Sequence, residues 1–130
     1  MPFNLDEKYV LEAEEALKGT LPQSYKSAML QSNGGEIELD DETWELYPIF
    51  DKSDKKRISR TCNHIISETQ SCIGFGNFPQ SAVAIAGNGC GDQLVLIKTE
   101  SCFSNLIYLW SHETGAIIDV ASDFSELDRL

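Results

Sequence analysis

The spacing of apolar residues changes along the chain, and each change marks an element. Val10, Ala13 and Leu17 recur at helical spacing, with either Leu11 or Glu14 completing the face. Asn4 is placed to cap this helix, Glu7 three residues later completes a capping box, and Lys18-Gly19 closes it. Leu21-Pro22 opens a second helix, with proline in the first turn where an N–H has no intrahelical partner. Tyr25, Met29 and Ala28 form its inner face. Asn33-Gly34-Gly35 ends it, because glycine takes the left-handed conformation at little cost.

From Glu36 the period shortens. Glu36-Ile37-Glu38-Leu39 alternates polar and apolar, as a half-buried strand does. After an acidic turn, Trp44 and Leu46 predict a second strand, with Pro48 as a candidate continuation and Tyr47 on the other face. The longest predicted helix follows, capped by Asp51 or Ser53. Its residues Ile58, Cys62, Ile65, Ile66 and Thr69 fall on one stripe, to be buried against the sheet. Short strands are then expected at Ile73–Phe75, Ala82–Ala86, Gln93–Ile97, Leu106–Trp110 and Ala116–Ile118, with a closing helix around Asp123-Phe124 and Leu127 capped by Ser122. Consecutive strands with short connections point to an antiparallel meander. Helices first, strands in the centre and no βαβ rhythm define an α+β class, and nothing divides residues 1–130 into more than one domain.

Charge narrows the function. The chain carries a net charge of -11 on 130 residues. Glu36, Glu38, Asp40, Asp41, Glu42 and Glu45 fall within ten residues that hold no base. Such a field repels nucleic acid and anionic membranes and speeds encounter with basic proteins. Glu38, Asp40, Asp41, Glu42 and Glu45 are therefore the candidate partner-binding residues. Lys52, Lys55, Lys56, Arg57 and Arg60 against Asp54 give +4 over residues 52–60, so the remainder carries -15. Bases at a helix start oppose the macrodipole, which allows a contact role beside the simpler one of a solvated face pairing with nearby acids. With 42% hydrophobic residues the chain can build a core without staples. Met1-Pro2-Phe3-Asn4 has no basic n-region, and no stretch approaches the ~20 apolar residues of a membrane span, so the expected address is cytoplasmic.

The remaining motifs carry little chemistry. Cys62, Cys72, Cys90 and Cys102 form no C-x-x-C pair, and His64 and His112 do not complete a zinc set, so they are read as small, half-buried, reduced side chains. Gly87-Asn88-Gly89-Cys90-Gly91-Asp92 has the glycines of a phosphate loop but precedes an apolar strand rather than a helix. It is read as a hairpin turn, with Asp92 bonding turn N–H groups. Asp40-Asp41-Glu42 lacks the spacing of a calcium loop. Cys62-Asn63-His64 and Ser111-His112-Glu113 set a nucleophile or base beside a histidine, but sequence neighbours seldom converge on an oxyanion site. No catalytic residue, metal or nucleotide cofactor is expected.

Several segments, in order, resemble the SUKH superfamily, which includes a yeast cell-wall-synthesis (glucan synthase) regulator and many bacterial immunity proteins. They are Leu21-Pro22-Gln23-Ser24-Tyr25-Lys26, Asn33-Gly34-Gly35, Ile73-Gly74-Phe75-Gly76, Gly91-Asp92, Ile107-Tyr108-Leu109-Trp110 with Ser111-His112-Glu113, and Ala121-Ser122-Asp123-Phe124-Ser125-Glu126-Leu127. The chain departs from the pattern at Gly87–Gly91, where the turn is richer in glycine. The resemblance implies helices packed around a strongly bent antiparallel sheet and a non-enzymatic role. It implies, for a bacterial single-domain member, an immunity protein that binds and blocks a toxin of a polymorphic or contact-dependent system.

Charge adds that the toxin domain would be basic, as a nuclease is, since an acidic inhibitor can mimic a polyanionic substrate. A regulatory adaptor without a toxin is the second reading. A small hydrolase whose site forms only in three dimensions is the third, and convergent pKa-shifted groups in a pocket would mark it.

Overall fold

The computed structural model describes residues 3–74 and 77–130. The first helix, α1 (Glu7–Leu17), starts two residues later than Asn4 implies: Asp6 is the cap, its carboxylate accepting the Lys8 N–H at 3.0 Å. Tyr9, Val10 and Ala13 are buried. Between the two alternatives for its face, Leu11 is 57% exposed while Glu14 turns inward, accepting the Leu21 N–H at 2.8 Å and pairing with Lys26 at 3.2 Å. Lys18, not Gly19, takes the left-handed conformation at the helix end. Gly19 serves close packing instead, since a Cβ there would meet Phe103 at 3.0 Å. The second helix, α2 (Gln23–Gln31), buries Tyr25 and Met29 as its pattern predicts. Gly34 and Gly35 follow at φ of +113° and +96°, values open to glycine.

The expected long helix is two. α3 (Lys55–Arg60) is capped by Asp54, rather than by Asp51 or Ser53, and α4 (Ile65–Ile73) by the His64 ring. Between them Thr61 turns its hydroxyl onto the Arg57 carbonyl at 2.8 Å and accepts the Asp51 N–H at 3.0 Å. The Ile65 N–H goes to the Pro48 carbonyl at 2.9 Å. Side chains that bond nearby backbone compete with the helical ladder, and Thr-Cys-Asn-His supplies a run of such residues. The break rotates the stripe. Ile65 and Thr69 are buried and Ile66 partly so, but Ile58 is 42% exposed and Cys62 is exposed. Ile73 ends α4 rather than beginning a strand, and Phe75 lies outside the described residues.

Eight strands are present among the described residues: β1 (Gly35–Leu39), β2 (Glu42–Leu46), β3 (Ala82–Gly87), β4 (Gln93–Thr99), β5 (Cys102–Phe103), β6 (Ile107–Trp110), β7 (Ile117–Ala121) and β8 (Asp128–Arg129). They form one antiparallel sheet in the order β7-β6-β4-β3-β2-β1-β8, with β5 paired to β4. The sheet curls, and the fold is a single α+β domain. Part of the curl is built by a bulge in which Ile85 is the extra residue between Ala84 and Ala86. The Ala84 N–H, next to the bulge, is taken by the Thr69 hydroxyl at 2.8 Å, which ties α4 to this part of β3.

The closing helix is only a single turn, Phe124–Glu126, capped by Asp123 rather than Ser122. The chain then returns as β8 to pair with β1. Trp44, Trp110 and Tyr25 are the largest fully buried side chains. The four thiols are free, but only Cys72 is buried, and burial pushes it up to about 11; Cys62, Cys90 and Cys102 are exposed, against the half-buried role expected of them.

Candidate functional site

The acidic segment is the β1–β2 hairpin, and its register decides where each carboxylate stands. Ile37 pairs with Trp44 on the buried side. Side chains alternate across a strand, so the neighbouring positions must face out. Glu36 lies directly opposite Glu45, and Glu38 opposite Thr43, all of them exposed. Like charges in opposed positions destabilise a hairpin, so the fold tolerates this pair rather than gaining from it.

At the tip, Asp40 and Asp41 both have positive φ, 51° and 64°, the signature of a type I′ turn. Glu42 accepts a bond from the Asn88 amide at 3.3 Å, and Glu45 one from Asn63 at 3.4 Å. The structure thus brings Glu38 and Glu45 onto one face, carries Asp40 and Asp41 to the tip, and sets Glu42 against the β3–β4 turn.

Glu36 and Glu45 stand between two clefts. One, of about 350 Å³, is also lined by Thr43, Tyr47, Glu68, Gly87 and Asn88. The other, of about 280 Å³, is lined by Phe3, Gly35, Leu46, Pro48, Arg60 and Asn63. Glu68 is the residue that sequence reasoning missed. It comes from α4, and nothing in its local pattern marks it; only packing of α4 across β3 brings it here. Partial burial, and then the Glu45 carboxylate, raise its pKa above the usual glutamate value. The Tyr47 phenol is pushed up to about 12, chiefly by burial, and donates to Gln93 Oε1 at 2.9 Å. Its ring covers Gly87, where any Cβ would collide with it.

The glycine-rich segment is a hairpin turn, as its sequence context predicts, with β4 following it. Its internal bonding differs from expectation. Asn88 Oδ1, not Asp92, accepts the Cys90 N–H at 2.9 Å. The Asp92 carboxylate reaches His112 instead, accepting its backbone N–H at 3.2 Å and meeting Nδ1 at 2.8 Å. Partial burial would raise Asp92, but the bonds from His112 outweigh it and hold the carboxyl below its ordinary value. His64 is occupied too: Nδ1 accepts the Ser67 N–H at 3.3 Å, the ring packs on Phe50, and burial lowers its pKa. Each histidine is therefore engaged in structure, one at a helix cap and one at a turn.

Among the described residues no helix is long and apolar enough to cross a membrane. A curled antiparallel sheet with helices packed on it, and an acidic exposed hairpin beside two open clefts, make up this single α+β domain. The family described as SMI1 / KNR4 (SUKH-1) matches residues 4–128, and the chain belongs to it. No curated protein matches the chain significantly.

Proposed function

We propose that this protein is a cytoplasmic immunity protein that binds and neutralises a basic toxin domain through the outer face of the β1–β2 hairpin. Membership of the SUKH family supports the immunity or regulatory class, whose members are generally non-enzymatic. The observation that carries the surface is the register: Glu36, Glu38 and Glu45 share one exposed face, and Glu68 joins them from α4. Opposed like charges that weaken the hairpin make sense where a cationic partner neutralises them. Asp40, Asp41 and Glu42 extend the field at the tip, and long-range attraction there raises the on-rate.

The test is co-expression with candidate toxin domains from neighbouring genes, together with association kinetics at low and high salt. Protection of the host, and fast binding that slows as salt rises, support the reading. Reversing Asp40, Asp41 and Glu42 to Lys should slow association and flatten its salt dependence while leaving the fold intact. An unchanged on-rate in that variant moves the surface off the hairpin tip. Failure both to bind and to protect leaves the regulatory adaptor as the better reading.

A further inference from the structure

We propose that the chain is self-complementary, two copies pairing across a two-fold axis with the basic face of α3 of each on the acidic hairpin of the other. The bases are Lys55, Lys56 and Arg60, all exposed. Of the bases near them, Lys52 pairs with Glu12 at 3.5 Å and Arg57 with the buried Asp51 at 3.5 Å. Among the described residues Lys55, Lys56 and Arg60 make no ion pair with a carboxylate of their own chain. That is notable in a chain with 21 acids and 10 bases. Lys56, Arg57 and Arg60 gather instead over the Phe3 ring, at 5.6, 4.8 and 5.4 Å from its centroid, which groups them into one cationic face.

This face and the hairpin border the same cleft, which is lined by Phe3 and Arg60 as well as by Glu36 and Glu45. A positive half thus lies beside a negative half, with a hollow of about 280 Å³ between them. A two-fold contact is isologous, so whatever one copy presents the other receives. An axis through the cleft lays plus on minus twice. A polyanion would match only the α3 half and meet repulsion from the hairpin, and a uniformly basic protein would match only the hairpin half. A second copy matches both. The net charge of -11 on each copy opposes association at long range. Salt near 0.15 M screens that repulsion beyond about 8 Å, while contact pairs at a few ångströms are screened less.

The experiment is sedimentation velocity with light scattering on the purified full chain over a concentration series. At about 0.15 M salt the expected species has twice the 14.5 kDa mass of the chain, and it dissociates as salt approaches about 1 M. The triple variant Lys55→Glu, Lys56→Glu, Arg60→Glu should weaken the dimer about tenfold or more, as should Glu36→Lys, Glu38→Lys, Glu45→Lys. An equimolar mixture of the two folded variants should regain association as a mixed pair. Circular dichroism checks folding, and if either variant is unfolded the salt dependence of the unaltered chain decides. A chain that stays monomeric at every concentration overturns the proposal. So does a dimer indifferent to salt or to the reversals, which would place the contact on another surface such as the exposed Ile117 and Ile118 of the edge strand β7. Every arm uses the purified chain alone, because a toxin seated on Glu36, Glu38 and Glu45 would compete with the second copy for the same hairpin.

Discussion

The side-chain amide of Asn33 behaves toward Ile49 as a neighbouring strand would. Its Nδ2 donates to the Ile49 carbonyl at 2.8 Å, and its Oδ1 accepts the Ile49 N–H at 2.8 Å. Both residues are buried, so neither backbone group has water as a substitute. The Asn-Gly-Gly segment thus does more than end α2: its asparagine fastens the loop after β2. Replacing Asn33 by Ala leaves a donor and an acceptor unpaired, and a loss of about 2–4 kcal/mol is expected. Urea unfolding should show a lower midpoint with an unchanged slope. A loss under about 0.5 kcal/mol would mean that the loop finds other partners.

Thr69 is the acceptor for the Ala84 amide beside the β3 bulge. Thr69→Val keeps the shape and removes that acceptor, so a cost of about 1–3 kcal/mol is expected, with Thr69→Ser milder. Hydrogen exchange at the Ala84 amide should accelerate in the valine variant. A serine variant less stable than the valine variant would show that the methyl, not the hydroxyl, matters.

Ile65 is fully buried and Ile58 is 42% exposed, although both lie on one stripe of the sequence. Ile65→Ala should cost about 2–5 kcal/mol through the cavity it leaves. Ile58→Ala should change stability by no more than about 0.5 kcal/mol. Thermal or denaturant melts of the two variants separate a broken helix from a continuous one.

Asp40 and Asp41 hold left-handed conformations that Asn-Gly would adopt more readily. The pair Asp40→Asn, Asp41→Gly should therefore raise stability, by up to about 1 kcal/mol, while removing two charges from the tip. If the tip steers a basic partner, the same variant should bind it more slowly. Melting and association kinetics on one protein sample read the two effects, and faster binding would argue against a steering role.

Glu68 has a raised pKa in the fold, from partial burial and from Glu45. A raised folded value means that the folded state holds the proton more tightly than the unfolded chain. Its charge therefore weakens the fold at neutral pH, and that penalty fades as pH falls through the raised value toward the ordinary glutamate range. Glu68→Gln should stabilise the protein at pH 7, with the advantage vanishing in acid. Melting temperatures of both proteins across this range test the sign, and an advantage that grows in acid would contradict it.

The sequence alone determined most of the elements, because hydrophobic periods are local. The faces of α1 and α2, the acidic hairpin, the β3–β4 hairpin and the antiparallel order all follow from spacing and turn residues. The ordered motifs pointed to the family that the match over residues 4–128 shows. Tertiary structure decided what depends on distant partners. The stripe from Ile58 to Thr69 suits one helix, yet the bonds joining Thr61 to Asp51 and Ile65 to Pro48 break it in two. The end of the chain suits a helix, yet an open edge on β1 draws residues 128–129 into the sheet. The acidic face was legible in the alternation of Glu36 to Glu45, but Glu68, Tyr47 and Arg60 reach its clefts only through packing. Periodicity records which side of an element is apolar. It carries no record of which backbone groups, far along the chain, will need a partner there.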